Sequence, residues 1–299
     1  MARLTRLLFA TCAALSVTIA TAHADPAPAQ APAGKKLVVL GDSFSANNWD
    51  PFTENVHCVR KDTSWPTQLT TLMKANNDVV DVSCSGASID TGPGFTLALE
   101  TRDADRAGGF GPATELVALQ FGANDSWGEH PSTLWNALTD CVLDLIRGCD
   151  IEAAEQGRIP DFRGVTGERY AERMRNALTY IRFYAPNARV VIVGYPEVME
   201  PGATKLCLNV FGPSPIVQPR AQALQAYLNS VDTAQREAAK LLGVEFFDAR
   251  AATRGHGLCS AEPWINGIID PRADAIGLPF HPSARGDAAV AQAIFDSRR

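Results

Sequence analysis

The chain lacks the short signatures that mark several large enzyme classes. No Gly-x-Ser-x-Gly surrounds any serine, so the strand-to-helix elbow of an ordinary α/β-hydrolase is absent. There is no His-Glu-x-x-His, no glycine-rich phosphate loop and no dinucleotide fingerprint, and no metal or organic cofactor is implied. Histidine is scarce, five in 299 residues, which leaves few candidate bases for proton transfer. Beyond the N-terminal segment no run approaches about 18 consecutive apolar residues, so no membrane-spanning helix is expected. Basic charge is also short. Of 27 Lys and Arg two lie in the N-terminal segment, and the rest against 33 Asp and Glu leave a formal charge of −8, which argues against a nucleic-acid partner.

What is there begins with an export signal. Arg3 and Arg6 precede an apolar run from Leu7 to Ala20, and Ala22-His23-Ala24 has the small-x-small form of a cleavage site. Residues 1–24 therefore read as a signal peptide and the product as secreted. Residues 25–36, with three prolines among Ala and Gln, read as a flexible leader, and 37–299 as a single domain. Six cysteines remain: Cys58, Cys84, Cys141, Cys149, Cys207 and Cys259. An even number in an exported chain suggests three disulfides, among fifteen pairings that six cysteines allow.

The run Leu37-Val38-Val39-Leu40, stopping at Gly41-Asp42-Ser43, has no polar alternation and reads as a strand buried on both faces. Ser43 then sits past its carboxyl end, where open α/β sheets bind ligands. Two further strands, 78–83 and 116–121, also end in small polar turns, Cys84-Ser85-Gly86 and Gly122-Ala123-Asn124-Asp125. If the strands are parallel, all three turns meet on one edge. Residues 189–193 and 244–248 supply two more strands. Helices are expected from Ser64 to about Ala75, over 132–147, 167–184 and 221–242, and after a Ser283 cap. Residues 92–111, with five glycines, read as loop with a helical turn, and 196–219, with five prolines, as a long irregular excursion. Strands alternating with helices make a three-layer α/β/α sandwich around a central, mainly parallel five-stranded sheet.

Taken singly, Ser43 and Asp42 could form a turn or cap a helix, Gly86 could serve its turn's conformation, and Asn124 could be an ordinary Asx-turn. Taken in order, Gly41-Asp42-Ser43-Phe44-Ser45, Gly86, Gly122-Ala123-Asn124-Asp125 and His281-Pro282-Ser283 resemble the SGNH or GDSL hydrolase family over most of the chain. The resemblance implies a flavodoxin-like fold and ester hydrolysis by Ser43 as nucleophile with His281 as base. It also implies an oxyanion hole of the Ser43 N–H, the Gly86 N–H and the Asn124 side chain. His130-Pro131-Ser132 repeats the histidine tripeptide close to Asn124, but only His281 is followed by the family's His-Pro-Ser-x-x-Gly ending. One departure stands out. The position three before the histidine, commonly Asp in the family, is Leu278. Some secreted members use a backbone carbonyl there, and the Leu278 carbonyl is the expected orienter, with Asp270, Asp274 and Asp287 as the carboxylate alternatives. The same secreted branch pairs cysteines sequentially, implying Cys58–Cys84, Cys141–Cys149 and Cys207–Cys259.

Phe44, Trp49, Phe52, Trp127, Trp264 and Phe280 lie near the inferred edge and could line an acyl groove, although core roles suit most of them. The expected protein is a monomeric secreted esterase or lipase acting on acyl esters or lipids. A carbohydrate O-deacetylase on the same site is the enzymatic alternative. A catalytically idle cell-surface or ligand-binding protein that kept the fold is the non-enzymatic one.

Overall fold

The structure is a computed structural model that describes residues 32–48, 58–92, 94–210 and 214–298. The expected signal segment, most of the 25–36 leader, and Trp49 and Phe52 lie outside the described residues.

Among the described residues there are seven strands: β1 Leu37–Gly41, β2 Val79–Asp81, β3 Leu116–Gln120, β4 Arg189–Val193, β5 Leu206–Leu208, β6 Ile216–Gln218 and β7 Glu245–Phe247. Five of them form the central sheet in the order β2-β1-β3-β4-β7, every pair parallel. The helices are α1 Ser43–Ala46, α2 Trp65–Leu72, α3 Leu97–Arg106, α4 Leu134–Ala137, α5 Glu152–Glu155, α6 Gly167–Tyr184, α7 Gln222–Leu242, α8 Ala249–Ala252 and α9 Ala284–Asp296. The unbroken apolar character of β1, β3 and β4 follows from burial on both sides. Val38, Leu40, Val117, Leu119 and Ile192 face one core with α3, α6 and α7. Leu37, Val39, Leu116, Ala118, Val191 and Val193 face the other, with α2, α8 and α9. The sandwich and its five-stranded sheet are as expected.

Strand order reverses between β1 and β3, since β1 is followed by β2 on one side while the chain returns to place β3 on the other. A crevice opens outside the carboxyl ends at such a point. Gln120 closes its floor. Its buried Oε1 accepts from Ser45 Oγ at 2.8 Å and from Trp65 Nε1 at 2.9 Å, and its Nε2 donates to the Gly194 carbonyl at 2.9 Å. One side chain thus fixes the ends of β1, β3 and β4 together with α2.

Several local expectations fail for physical reasons. Residues 92–111 are not mainly loop: α3 occupies their middle, capped by Thr96, whose hydroxyl accepts from the Leu99 N–H, with Leu97, Thr101 and Ala104 buried. That apolar face was masked by the glycines on either side. The proline-rich excursion holds an antiparallel hairpin, β5–β6. In 132–147 only α4 is α-helical, and it continues as a single wide π turn over Leu138–Val142. The end of the leader is not free. Ala33 and Lys35 bond to the 109–113 backbone, and a Cβ on Gly34, at φ 91°, would stand 2.6 Å from the Gly111 nitrogen.

Replacing Gln120 with Leu should cost about 3 kcal/mol or more, because three buried polar groups lose their partner at about 1–3 kcal/mol each. Equilibrium urea unfolding measures it, and a loss below about 1 kcal/mol would contradict this role for Gln120.

Candidate active site

Ser43 opens α1 directly after β1. Asp42 is its N-cap: the carboxyl accepts from the Phe44 N–H at 2.8 Å, while the Ser43 N–H, first in the helix, has no acceptor within it. Gly41 has to be glycine, since a Cβ there would lie 2.5 Å from Ser45 Oγ and 3.1 Å from the Gln120 carbonyl oxygen. His281 arrives from the far end of the chain. Its Nε2 stands 2.7 Å from Ser43 Oγ.

The other ring nitrogen, Nδ1, lies 2.7 Å from the carbonyl oxygen of Pro279. A carbonyl can only accept, so Nδ1 carries the hydrogen and Nε2 presents its lone pair to the serine. The expected Leu278 carbonyl is not the partner. It accepts the His281 backbone N–H at 3.1 Å instead, closing a turn of Leu278 to His281. Pro279 occupies the second position of that turn and Phe280 the third, with φ at 68°, the pattern of a type II turn. Such a turn rotates the carbonyl of its second residue outward, and here that oxygen meets the imidazole. Left-handed φ on a buried phenylalanine costs about 1–2 kcal/mol, and the Phe280 N–H bonded to the Asn266 carbonyl holds it.

None of the three alternative carboxylates bonds the ring. Asp270 pairs with Arg272, and Asp274 accepts from Lys61 and the Ala284 N–H. Asp287 accepts from Asn47 Nδ2 at 2.6 Å. Asn47 is informative all the same. It follows α1 with φ at 45°, and its amide also donates to the Pro282 carbonyl at 2.8 Å, so it ties the serine helix to the histidine segment.

Asn124 lines the same pocket as Ser43 and His281, and the turn that carries Gly86 is bonded to the Asn124 turn. Gly86 is exposed at φ 84° with open space where a side chain would go. One Asn124 amide hydrogen is spent on the Ala87 carbonyl at 3.0 Å, which leaves the second available. Buried Asp125 binds this turn to the Gly86 loop, accepting from the Ile89 N–H and from Thr91 Oγ1, with the Arg173 guanidinium 3.5 Å away. Sequence reasoning missed Tyr195. Its hydroxyl donates to Asp42 Oδ2 at 2.5 Å and accepts from the Ala123 N–H at 2.9 Å, bridging the serine turn to the asparagine turn. It stands two residues beyond the fourth strand, so the strand-end logic that found the others could have found it.

A pocket of ≈ 20 Å³ lies against Ser43 and His281, walled by Phe44, Leu134, Trp135 and Phe280. Of the aromatic residues expected near the edge, Phe44 and Phe280 line it; Trp127 is buried under the asparagine turn, and Trp264 stacks on His256. Phe44 also stacks on the His281 ring, centroids 4.1 Å apart. His130 is elsewhere. It borders a groove of ≈ 640 Å³ with Asp161, Arg163 and Arg169.

Burial sets the charges. It pushes His281 down to about 4, against a small upward pull from the Pro279 carbonyl. It pushes Asp42 up to about 7, against the Tyr195 and Phe44 donors that favour the carboxylate.

The three disulfides are Cys58–Cys84, Cys141–Cys149 and Cys207–Cys259. The first ties the segment after α1 to the turn before Gly86.

A serine in contact with a neutral histidine on the crevice of a parallel sheet, with glycine and asparagine turns beside it, defines a hydrolase. A profile of the GDSL-like Lipase/Acylhydrolase family matches residues 39–289, and the chain belongs to that family of ester hydrolases. Among curated relatives, Lipase 2 of Streptomyces coelicolor is 31% identical over 305 aligned positions that cover 98% of this chain and 97% of that protein. Lipase 1 of the same organism is 28% identical, covering 95% and 92%. Among solved structures, phospholipase A1 from Streptomyces albidoflavus superposes with a TM-score of 0.61 at 23% identity, covering 89% of this chain and all of that one. The extracellular lipase from Streptomyces rimosus gives 0.60 at 22% identity, with the same coverage of this chain. These two likenesses establish a shared fold.

Two outcomes follow from this geometry. Tyr195→Phe leaves the Ala123 N–H and Asp42 without their shared hydroxyl. It should cost about 1–3 kcal/mol in urea unfolding and lower kcat more than it changes KM; unchanged stability and kcat would remove Tyr195 from the site. For Asp42 the folded value lies above the unfolded 3.8, so its contribution is full below about pH 4 and is lost as pH rises through about 7. Wild type should therefore lose stability relative to Asp42→Asn across that window, and parallel stability curves would show that Asp42 does not titrate there.

Proposed function

We propose that the protein hydrolyses carboxylic esters of acyl groups through a covalent acyl-enzyme on Ser43. The observation that carries this reading is the 2.7 Å approach of His281 Nε2 to Ser43 Oγ while Nδ1 is bonded to the Pro279 carbonyl. In that tautomer the imidazole can take the serine proton as Oγ bonds to the ester carbonyl carbon. The carbonyl electrons move to oxygen, and the Ser43 N–H, the Gly86 N–H and the free Asn124 amide hydrogen would receive the resulting oxyanion. Each such donor is worth roughly 3–4 kcal/mol of barrier. Collapse expels the alkoxide, which takes the proton from His281. Water then attacks the acyl carbon with the same histidine as base.

The imidazolium formed midway has no carboxylate beside it among the described contacts. Two weaker sources of stabilisation stand in: the Pro279 carbonyl dipole on Nδ1 and the Phe44 ring face 4.1 Å from the imidazole. Because burial keeps His281 neutral down to about pH 4, the base is fully available at neutral pH.

Acyl lipids are the proposed substrate class, supported by the activities named for the relatives and by the apolar walls of the pocket. The space beside Ser43 suits the carbonyl end of an acyl group, and longer chains would leave past Trp135, which is 49% exposed. Secretion is proposed with it, on the three disulfides.

Ser43→Ala and His281→Ala should each lower p-nitrophenyl ester hydrolysis by about 10³-fold or more, while His130→Ala leaves it unchanged. Equal activity in Ser43→Ala would dispose of Ser43 as the nucleophile, and no hydrolysis by the wild type would return the chain to the idle binding protein. Turnover of acetyl esters alone, across an acyl-length series, would favour the carbohydrate deacetylase. In the wild type kcat/KM should rise with pH through a midpoint near 4, well below the usual 6.5 of histidine; a midpoint at 6 or above would mean that a solvated or charge-paired histidine is the base.

A further inference from the structure

We infer that Glu100 is a positioning residue for the ester hydrolysis proposed above: its carboxyl closes a circuit of hydrogen bonds that aims the Ser43 and Gly86 N–H groups. The inference rests on that catalytic reading. Glu100 lies in the first turn of α3 and is 2% exposed, while Arg102, Asp103 and Arg106 of the same helix stand in solvent. A glutamate near a helix N-terminus is favourable already at the surface, where water and the helix dipole both suit it. Taking its carboxyl out of water is costly unless the group is bonded. Here Oε2 accepts the Gly41 N–H at 2.7 Å.

The strand register explains what that bond replaces. Val39 pairs with Asp81, the last residue of β2. The next residue of β1 that faces this side is Gly41, and its carbonyl accepts the Cys84 N–H at 2.9 Å. By then β2 has ended, and the oxygen on the Gly41 N–H comes from Glu100 instead.

Three joints make the circuit. From Gly41 it crosses to Cys84, and the chain then runs through Gly86 to Ser88, whose carbonyl accepts the Leu97 N–H at 2.9 Å. Leu97 begins α3, and within a turn Glu100 returns to Gly41. Gly86 is the open corner. At φ 84°, with nothing within 4 Å of where a Cβ would stand, it has no side-chain packing to aim its N–H. Ser43 follows two residues after Gly41, with the Asp42 N–H bonded to the Gln120 carbonyl at 2.9 Å. The circuit thus contains one proposed oxyanion donor and leads directly into the other.

Burial pushes the Glu100 carboxyl well above the ordinary carboxylate range, against the Gly41 N–H, and Asp81 and Asp42 add to the rise. Held toward the neutral acid, the group has a close mimic in an amide, which keeps the accepting oxygen.

The test uses p-nitrophenyl esters and the matching thionoesters, whose sulfur is a poor acceptor and draws little from backbone N–H donors. Glu100→Met fills the same space without an oxygen. It should lower kcat on the oxoester by about tenfold or more with KM within about threefold, and the oxoester-to-thionoester ratio of kcat/KM should fall by a similar factor. Glu100→Gln still offers an oxygen to Gly41, so kcat should stay within about threefold of wild type with the ratio unchanged. A merely structural role would lower both substrates alike. Glu100→Asp withdraws the carboxyl by one methylene; it should show the same loss and takes the place of Glu100→Met if that variant unfolds early in urea. Wild-type kcat in the variant lacking the Gly41 contact, an unchanged ratio beside a lowered kcat, or equal impairment of Glu100→Gln would each overturn the inference. No hydrolysis by the wild type would sink the catalytic reading itself, whereas a hydrolysing wild type matched by Glu100→Met sinks the inference alone.

Discussion

The site depends on one buried carboxyl group. Asp42 is completely inaccessible, and its two oxygens face in two directions. One receives the Phe44 N–H and so sets the entry angle of the helix that begins with Ser43. The other receives the Tyr195 hydroxyl, which in turn receives the Ala123 N–H. Serine turn, β4 end and asparagine turn are fixed through a single residue. The cost of burying that carboxyl is offset because each oxygen has a donor, and it is expressed in the raised affinity for a proton.

The histidine is held by a different economy of parts. A carboxylate on Nδ1 would stabilise the imidazolium directly, but it would have to be desolvated itself. A proline carbonyl brings no charge to bury. It requires instead a turn whose third residue takes a left-handed φ, and Phe280 takes it. The aromatic ring recovers part of that strain by filling the pocket wall. His281 therefore sits in a drier and less polar place than a charge-paired histidine, which is why burial dominates its proton affinity.

Most of the architecture was legible because β1, β3 and β4 are apolar without alternation and end in Gly-Asp-Ser, Gly-Ala-Asn-Asp and Gly-Tyr. Parallel strands covered on both faces leave that mark. Ser43 and His281, which stand in contact, were legible for the same reason, each at a fixed offset from a strand or helix end, and Gly86 and Asn124 were proposed on the same offset. The Pro279 carbonyl was not, because a main-chain acceptor has no residue type and its direction depends on φ and ψ two residues on. Gln120 and Tyr195 were missed because their roles are contacts across 70 residues or more. α3 was hidden by flanking glycines that argue for loop when the helix face is not counted separately.

On the proposed reading the working groups sit on turns, and that placement explains where the covalent crosslinks fall. A sheet positions the ends of its strands, but Gly86, Asn124 and His281 lie beyond those ends, where the backbone has few ladder bonds. Cys58–Cys84 pins the segment after α1 to the residue two before Gly86, and Cys207–Cys259 joins β5 to the segment leading toward His281. Asp125, Asn47 and Tyr195 do with hydrogen bonds what the disulfides do with sulfur. An oxyanion hole works only if its donors are already aimed when charge develops, because reorganisation at that moment would spend what the donors supply. Rigidity at the turns is thus a catalytic requirement as well as a stabilising one, and it accounts for buried polar groups that a fold built for stability alone would replace with aliphatic ones.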